Sequence, residues 1–200
     1  MLIRIFGRGP LAEPLARLAQ RAGHIVRWPD HTAPPPDNDE LLDLVILAGS
    51  KLGVAADLEN ASSKTLQNLI VVDAITPAQN DLDSSADLTR SLSDVTEWIR
   101  EMLPCPRIVR AFASVPAQAF AELLEKPPTE DAMKLAVPIA SDDGEAKALV
   151  GDFLRAIGVA PFDLGALRSA EVLEPGGPLW GKALNQLEML EAVGTLSGDG

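Results

Sequence analysis

The residues with the clearest chemical signature stand at the start of the chain, in Gly7-Arg8-Gly9-Pro10-Leu11-Ala12. This Gly-x-Gly-x-x-Ala turn directly follows an apolar run, Leu2 to Phe6, and directly precedes a helical pattern. In that place Gly7 permits a tight turn, Gly9 lets a pyrophosphate approach the backbone, and Ala12 lets strand and helix pack closely. The helix N-terminus then faces the anion with its N–H groups and its dipole. The spacing predicts a dinucleotide site, with Arg8, Pro10 and Leu11 bordering the pyrophosphate beside the two glycines. Pro10 withdraws one N–H from that site, although it is sterically at home as a first helical residue, and Pro14 withdraws another. The turn also reads as one required only for tight packing, and the spacing alone leaves both readings open.

A dinucleotide unit carries an acidic residue about 20 positions beyond the glycines, where it accepts hydrogen bonds from the ribose 2′-hydroxyl. Asp30 is the best match, with Arg27 and His31 beside it as groups able to meet a phosphate instead. Asp30 equally reads as the cap of a turn after Pro29. The other reactive residue types are scarce: His24 and His31 are the two histidines, Cys105 is the single cysteine, and tyrosine is absent. His24 is expected to pack at a strand start, and Cys105, between Pro104 and Pro106, lacks an evident activating base. Trp28 and Trp180 read as residues able to line a cleft but are expected rather in core or interface packing, and Asp142-Asp143 as charges favoured at a helix start. If the chain performs chemistry, a bound cofactor is expected to carry most of it.

These residues need a scaffold, and apolar patterning supplies one. Short apolar, β-branched runs predict strands at 2–6, 24–28, 44–48, 69–74 and 107–112, with further strands at 134–140 and 160–164. Pro138 and Pro161 argue for edge or bulged positions in the last two. Helical spacing predicts helices over 10–22, within 52–66, and over 88–103, 116–125 and 144–157, then helical pieces over 168–173 and 179–192. Pro34-Pro35-Pro36 reads as an extended loop and 76–85 as a polar loop. Strands alternating with helices predict an α/β fold with a mostly parallel sheet. The divisions expected are a nucleotide-binding domain over 1–165, a C-terminal helical segment over 166–193 and a frayed tail over 194–200.

The 200 residues suffice to bury a core without disulfides or metals, and no metal site is expected. A net charge of −12 repels phosphate backbones and anionic lipid, so neither nucleic acid nor a membrane surface is an expected partner. No run reaches the length of a membrane span, the first strand begins at once, and a single cysteine fits a reducing cytoplasm, the expected location.

In order along nearly the whole chain, several segments form one pattern: Ile5 to Gly9, Ala22-Gly23-His24, Val72 to Pro77, Arg110 to Ala117, Ile139 to Lys147, Gly165 to Ala170, and Leu173 to Pro175 followed by Leu179-Trp180. This pattern resembles the deazaflavin (coenzyme F-420)-dependent NADP oxidoreductases, whose Rossmann domain is shared with related ferric-reductase domains. The resemblance implies a Rossmann-like, doubly wound sheet with a C-terminal helical piece, often dimeric. It also implies hydride transfer between a nicotinamide cofactor, NADP or NAD, and a deazaflavin or similar small redox partner. Asp30 and His31 would then line the adenosine ribose, Gly49 and Ser50 the cleft floor, and Ala74, Thr76, Ser114 and Val115 the nicotinamide. No residue is assigned as a catalytic acid or base. The family pattern carries a polar residue at Pro10, a Ser-Arg pair at Asp30-His31, and asparagines at Thr76 and Ser114. The alternative is a Rossmann-fold binding or interaction protein without catalysis. For a dimer, the stripe Trp180, Leu184, Leu187 and Leu190 on the C-terminal helix is the expected contact; its other reading is burial in the chain's own core.

Overall fold

The computed structural model describes residues 1–28, 42–59, 68–76, 92–126 and 133–198. Asp30, His31, the Pro34–Pro36 loop, most of the 76–85 loop and the first residues expected in the 88–103 helix lie outside these.

Seven strands form one sheet: β1 (Leu2–Phe6), β2 (Ile25–Arg27), β3 (Leu44–Gly49), β4 (Ile70–Ile75), β5 (Arg107–Ala111), β6 (Ala136–Ala140) and β7 (Ala160–Asp163). Their order is β2-β1-β3-β4-β5-β6-β7. All neighbours are parallel except β5 and β6. The described helices are α1 (Ala12–Arg21), α2 (Lys51–Glu59), α3 (Leu92–Met102), α4 (Ala117–Glu125), α5 (Gly144–Ala156) and α6 (Gln186–Gly198), with a 3-10 helix over Leu167–Leu173.

The central strands β3 and β4 are buried along their whole length, as continuous apolar runs require when helices cover both faces of a parallel sheet. On one face Ile3, Ile5, Ile46, Val72 and Val109 pack with Leu15, Phe120 and Phe153 of α1, α4 and α5. On the other, Phe6, Val45, Leu47 and Val71 pack with Val54, Leu58 and Ile99 of α2 and α3. The architecture is therefore a doubly wound, Rossmann-like α/β fold.

Two differences from the sequence reading have local causes. Pro138 is not on an edge strand: β6 lies between β5 and β7, but its ladder with β5 ends at Ile139, so Pro138 stands just beyond that pairing. The last helix starts at Gln186, not at Leu179, and runs through Gly198, into residues expected as tail. Asn185 sets its start, because its Oδ1 accepts the N–H groups of Leu187 and Glu188 while the Glu188 carboxylate accepts the N–H of Asn185. This reciprocal cap is a sequence signal that was there to be read. Residues 167–173 form a 3-10 helix whose Ala170 and Leu173 join Leu179 and Met189 in a small cluster beside β6.

Candidate functional site

β1 lies between β2 and β3, so the chain leaves β1 in one direction and later strands add on its other side. A crevice opens outside the carboxyl ends of the strands at such a switch point. The glycine turn sits there, after β1, and faces the end of β3. Gly7 adopts φ +95°, and a Cβ on it would come 2.4 Å from the Ala48 carbonyl oxygen. A Cβ on Gly9 would lie 2.7 Å from the Cα of Gly49. Thr76 then donates its N–H to the Gly49 carbonyl at 3.0 Å, tying the end of β4 into the same cluster. Gly7, Gly9 and Gly49 are thus each required by the chain's own backbone, before any ligand is considered.

The hydrogen-bond donors of the turn are largely engaged. The Gly9 N–H donates to the Ala48 carbonyl at 3.2 Å, and Pro10 has none to give. The Gly7 N–H donates to Oδ2 of Asp57, on α2, at 2.8 Å. The other oxygen of that carboxylate lies 3.6 Å from the Arg8 guanidinium, and the Asp57 side chain is nearly buried. Burial lowers the Arg4 guanidinium from its ordinary value, and the Asp57 charge opposes that shift. Trp28, at the end of β2, donates its indole Nε1–H to the Gly7 carbonyl at 3.1 Å. It remains 38% exposed, so it is not packed in the core; it stands beside the turn, as the cleft-lining reading of Trp28 has it. Asp57 was not among the residues expected from the sequence.

Beneath the ends of β4 and β5 lies an ion cluster in which Arg110 and Asp73 are buried and Glu174 is partly exposed. Arg110 contacts Oδ1 of Asp73 at 2.9 Å and Oε1 of Glu174 at 2.7 Å. It also donates to the Ile75 carbonyl at 3.1 Å. Asp73 has no exposed surface, and its Oδ2 has no hydrogen-bond partner. Burial pushes the carboxyls of both Asp73 and Glu174 above their ordinary range, with the Arg110 charge acting against that. The cluster fixes the end of β4 against the C-terminal segment and orients the backbone that leads to Thr76.

Gly7, Arg8, Gly9, Pro10, Leu11, Gly49, Ser50 and Thr76 come together around the switch point. Ser50 begins α2, its hydroxyl accepting the Gly53 N–H at 3.2 Å. Ala74 is buried within β4. Ser114 and Val115 follow β5, two strands away from β3, and are nearly buried; the Ser114 carbonyl accepts the Gly181 N–H at 2.8 Å, so the C-terminal segment covers that turn. His24 packs against Phe153 as expected, with burial lowering its imidazole and the N-terminal charge adding to that. Asp143 caps α5 by accepting the Ala146 N–H, and Arg107 grips it at 2.6 and 2.9 Å. Among the described residues no cluster of three or more His, Cys, Asp and Glu could hold a metal, and no helix is long and apolar enough to cross a membrane.

No family profile matches the chain. Among solved structures it is similar to a hypothetical protein from Sinorhizobium meliloti, with 23% identity and a TM-score of 0.72 over 93% of this chain and 96% of that one. It is also similar to a protein from an Arthrobacter species assigned as a coenzyme F-420-dependent NADP reductase, with 20% identity and a TM-score of 0.63 over 92% and 99%. An imine reductase from Bacillus cereus shares 13% identity and a TM-score of 0.55 over 98% of this chain but 59% of its own length. Likeness at these identities establishes the fold.

Proposed function

We propose that this protein is an NAD(P)-dependent oxidoreductase that transfers a hydride between a nicotinamide cofactor and a deazaflavin or similar small redox partner. The observation that carries it is the glycine turn at the switch point, where Gly9 and Gly49 approach as closely as backbones can and α1 opens over the crevice. A dinucleotide is the ligand such a turn at a switch point takes. Its pyrophosphate would pass Gly9, Pro10 and Leu11 beside Arg8, its adenosine would lie against Trp28 with Asp30 and His31 near the ribose, and its nicotinamide would lie towards Ala74, Thr76, Ser114 and Val115. The cofactor supplies the hydride. The chain's residues bind and orient, as expected where two flat rings need alignment more than they need a nucleophile. The solved neighbour assigned as a coenzyme F-420-dependent NADP reductase supports the class of redox partner. The exposed Leu187 and Leu190 of α6 suit a homodimer contact, which sedimentation at several concentrations tests.

A second reading, a Rossmann-fold binding protein without catalysis, is favoured by the engaged donors of the turn: Asp57 holds Gly7, Ala48 holds Gly9, and Pro10 offers nothing. Calorimetric titration with NAD(H) and NADP(H) separates the two. Saturable binding followed by oxidation of the reduced nicotinamide with a deazaflavin acceptor establishes the first, and saturable binding without turnover establishes the second. Absence of heat at millimolar ligand removes the oxidoreductase.

A further inference from the structure

Among the described residues, the Asp57 carboxylate is the negatively charged side chain that meets the glycine turn itself. Its position is built: α2 packs on β1 and β3 through Val54 and Leu58, which fixes the side of the helix that meets Gly7. One carboxylate oxygen takes the Gly7 N–H at 2.8 Å, and the other faces Arg8 at 3.6 Å. Those are the two kinds of group, a backbone N–H and a guanidinium, that a phosphate at a glycine turn would use. Trp28 holds the carbonyl of the same residue, so Gly7 is gripped through both of its polar groups and does not rotate to serve another anion.

We infer that Asp57 is an affinity-setting residue, a resident anion that satisfies the turn and opposes the entry of the dinucleotide pyrophosphate. The inference rests on the nucleotide-binding function proposed above. It accounts for a turn that keeps every glycine yet has few donors to offer. A fixed unit charge within a turn's width of a pyrophosphate changes affinity by about tenfold at the effective dielectric of a protein surface. The effect shrinks with added salt, because the crevice is open and the charges are screened over about 10 Å at 0.1 M.

The test is Asp57→Asn, which keeps an oxygen to accept the Gly7 N–H and removes the charge. Glu59→Gln, on the same helix but on its exposed side, is the control for a charge lost anywhere on α2. NAD(H) and ADP-ribose are titrated calorimetrically into wild type and both variants at low and high salt, with thermal melts to confirm folding. The expected result is that D57N binds both ligands about tenfold tighter than wild type at low salt, with the ratio falling at high salt and E59Q staying at the wild-type value. Wild-type binding that is equal to or tighter than D57N binding overturns the role of Asp57 and leaves the nucleotide site standing. No binding by any of the three overturns both. Should D57N fail to fold, wild type alone decides: the inference requires ADP-ribose to bind less than about threefold tighter than adenosine, and a larger gain overturns it.

Discussion

Replacing Arg110 by alanine is the severest single test of how this chain supports its crevice. Arg110 is 1% exposed and faces Asp73, which is entirely buried, at 2.9 Å. Its guanidinium also meets Glu174 at 2.7 Å and the Ile75 carbonyl at 3.1 Å. Arg110→Ala leaves the Asp73 carboxylate buried with no cation, a loss of about 3–5 kcal/mol. Against a typical total stability of about 5–15 kcal/mol, that moves the unfolding midpoint far down the denaturant axis. Glu174→Gln should cost under about 1 kcal/mol, because its rim position is partly wet and one guanidinium cannot neutralise two carboxylates. The pair variant Asp73→Val/Arg110→Met should recover at least half of the loss, since a buried pair replaced by apolar groups of similar volume is often neutral. Urea unfolding of the four proteins at about pH 7 and about pH 5 measures these costs. The sign with pH follows from burial, which raises the Asp73 carboxyl above its ordinary range. A carboxyl raised in the folded state contributes stability that is present below the unfolded value and fades as pH rises through the folded one. Without Arg110 the folded value rises further, so the cost of R110A must be smaller at about pH 5 than at about pH 7. A cost below about 1 kcal/mol, or one independent of pH, would refute the claim that Arg110 is the counterion of a buried charge.

Gly9→Ala should destabilise the chain by about 1–3 kcal/mol, because the added methyl meets the Gly49 backbone, which cannot swing aside; unchanged urea midpoints would mean that the two turns do not touch. Asp143→Asn should lower the melting temperature at neutral pH and flatten its fall in acid. The hydrogen bond from Arg107 holds that carboxyl well below the usual range, so its contribution is present above the ordinary carboxylate value and lost as pH falls; melts across the acid range read it, and an unchanged acid limb contradicts it. Trp28→Phe should remove most of any fluorescence change on nucleotide binding while Trp98 and Trp180 still emit. Quenching of equal size in W28F places the nucleotide elsewhere.

Much of the scaffold was legible because buried parallel strands announce themselves. Leu44 to Ala48 and Leu69 to Ala74 are apolar runs that could be little else, and both became fully buried strands. Helix starts were less legible where the cap was the deciding signal: Trp180 and Leu184 fit a helical stripe with Leu187, yet the Asn185–Glu188 cap begins the helix later. Pro138 misled because the rule it obeys concerns a missing N–H partner, which the end of a ladder in the sheet interior satisfies as well as an edge does.

The candidate site divides along the same line. Glycine spacing reports where the backbone must come close to something, and here that something is Ala48 and Gly49 of the neighbouring strand. The spacing does not say who holds the turn's N–H groups. That depends on a carboxylate fifty positions away in sequence, which reaches Gly7 only once α2 has packed on β1. The buried cluster behaves alike: Asp73 and Glu174 are ordinary acids in the sequence, and only the fold turns them on one guanidinium. A fingerprint of this kind therefore specifies a crossing of two strands first and an anion site second. Whether the anion site survives is decided by charges that the fingerprint does not contain.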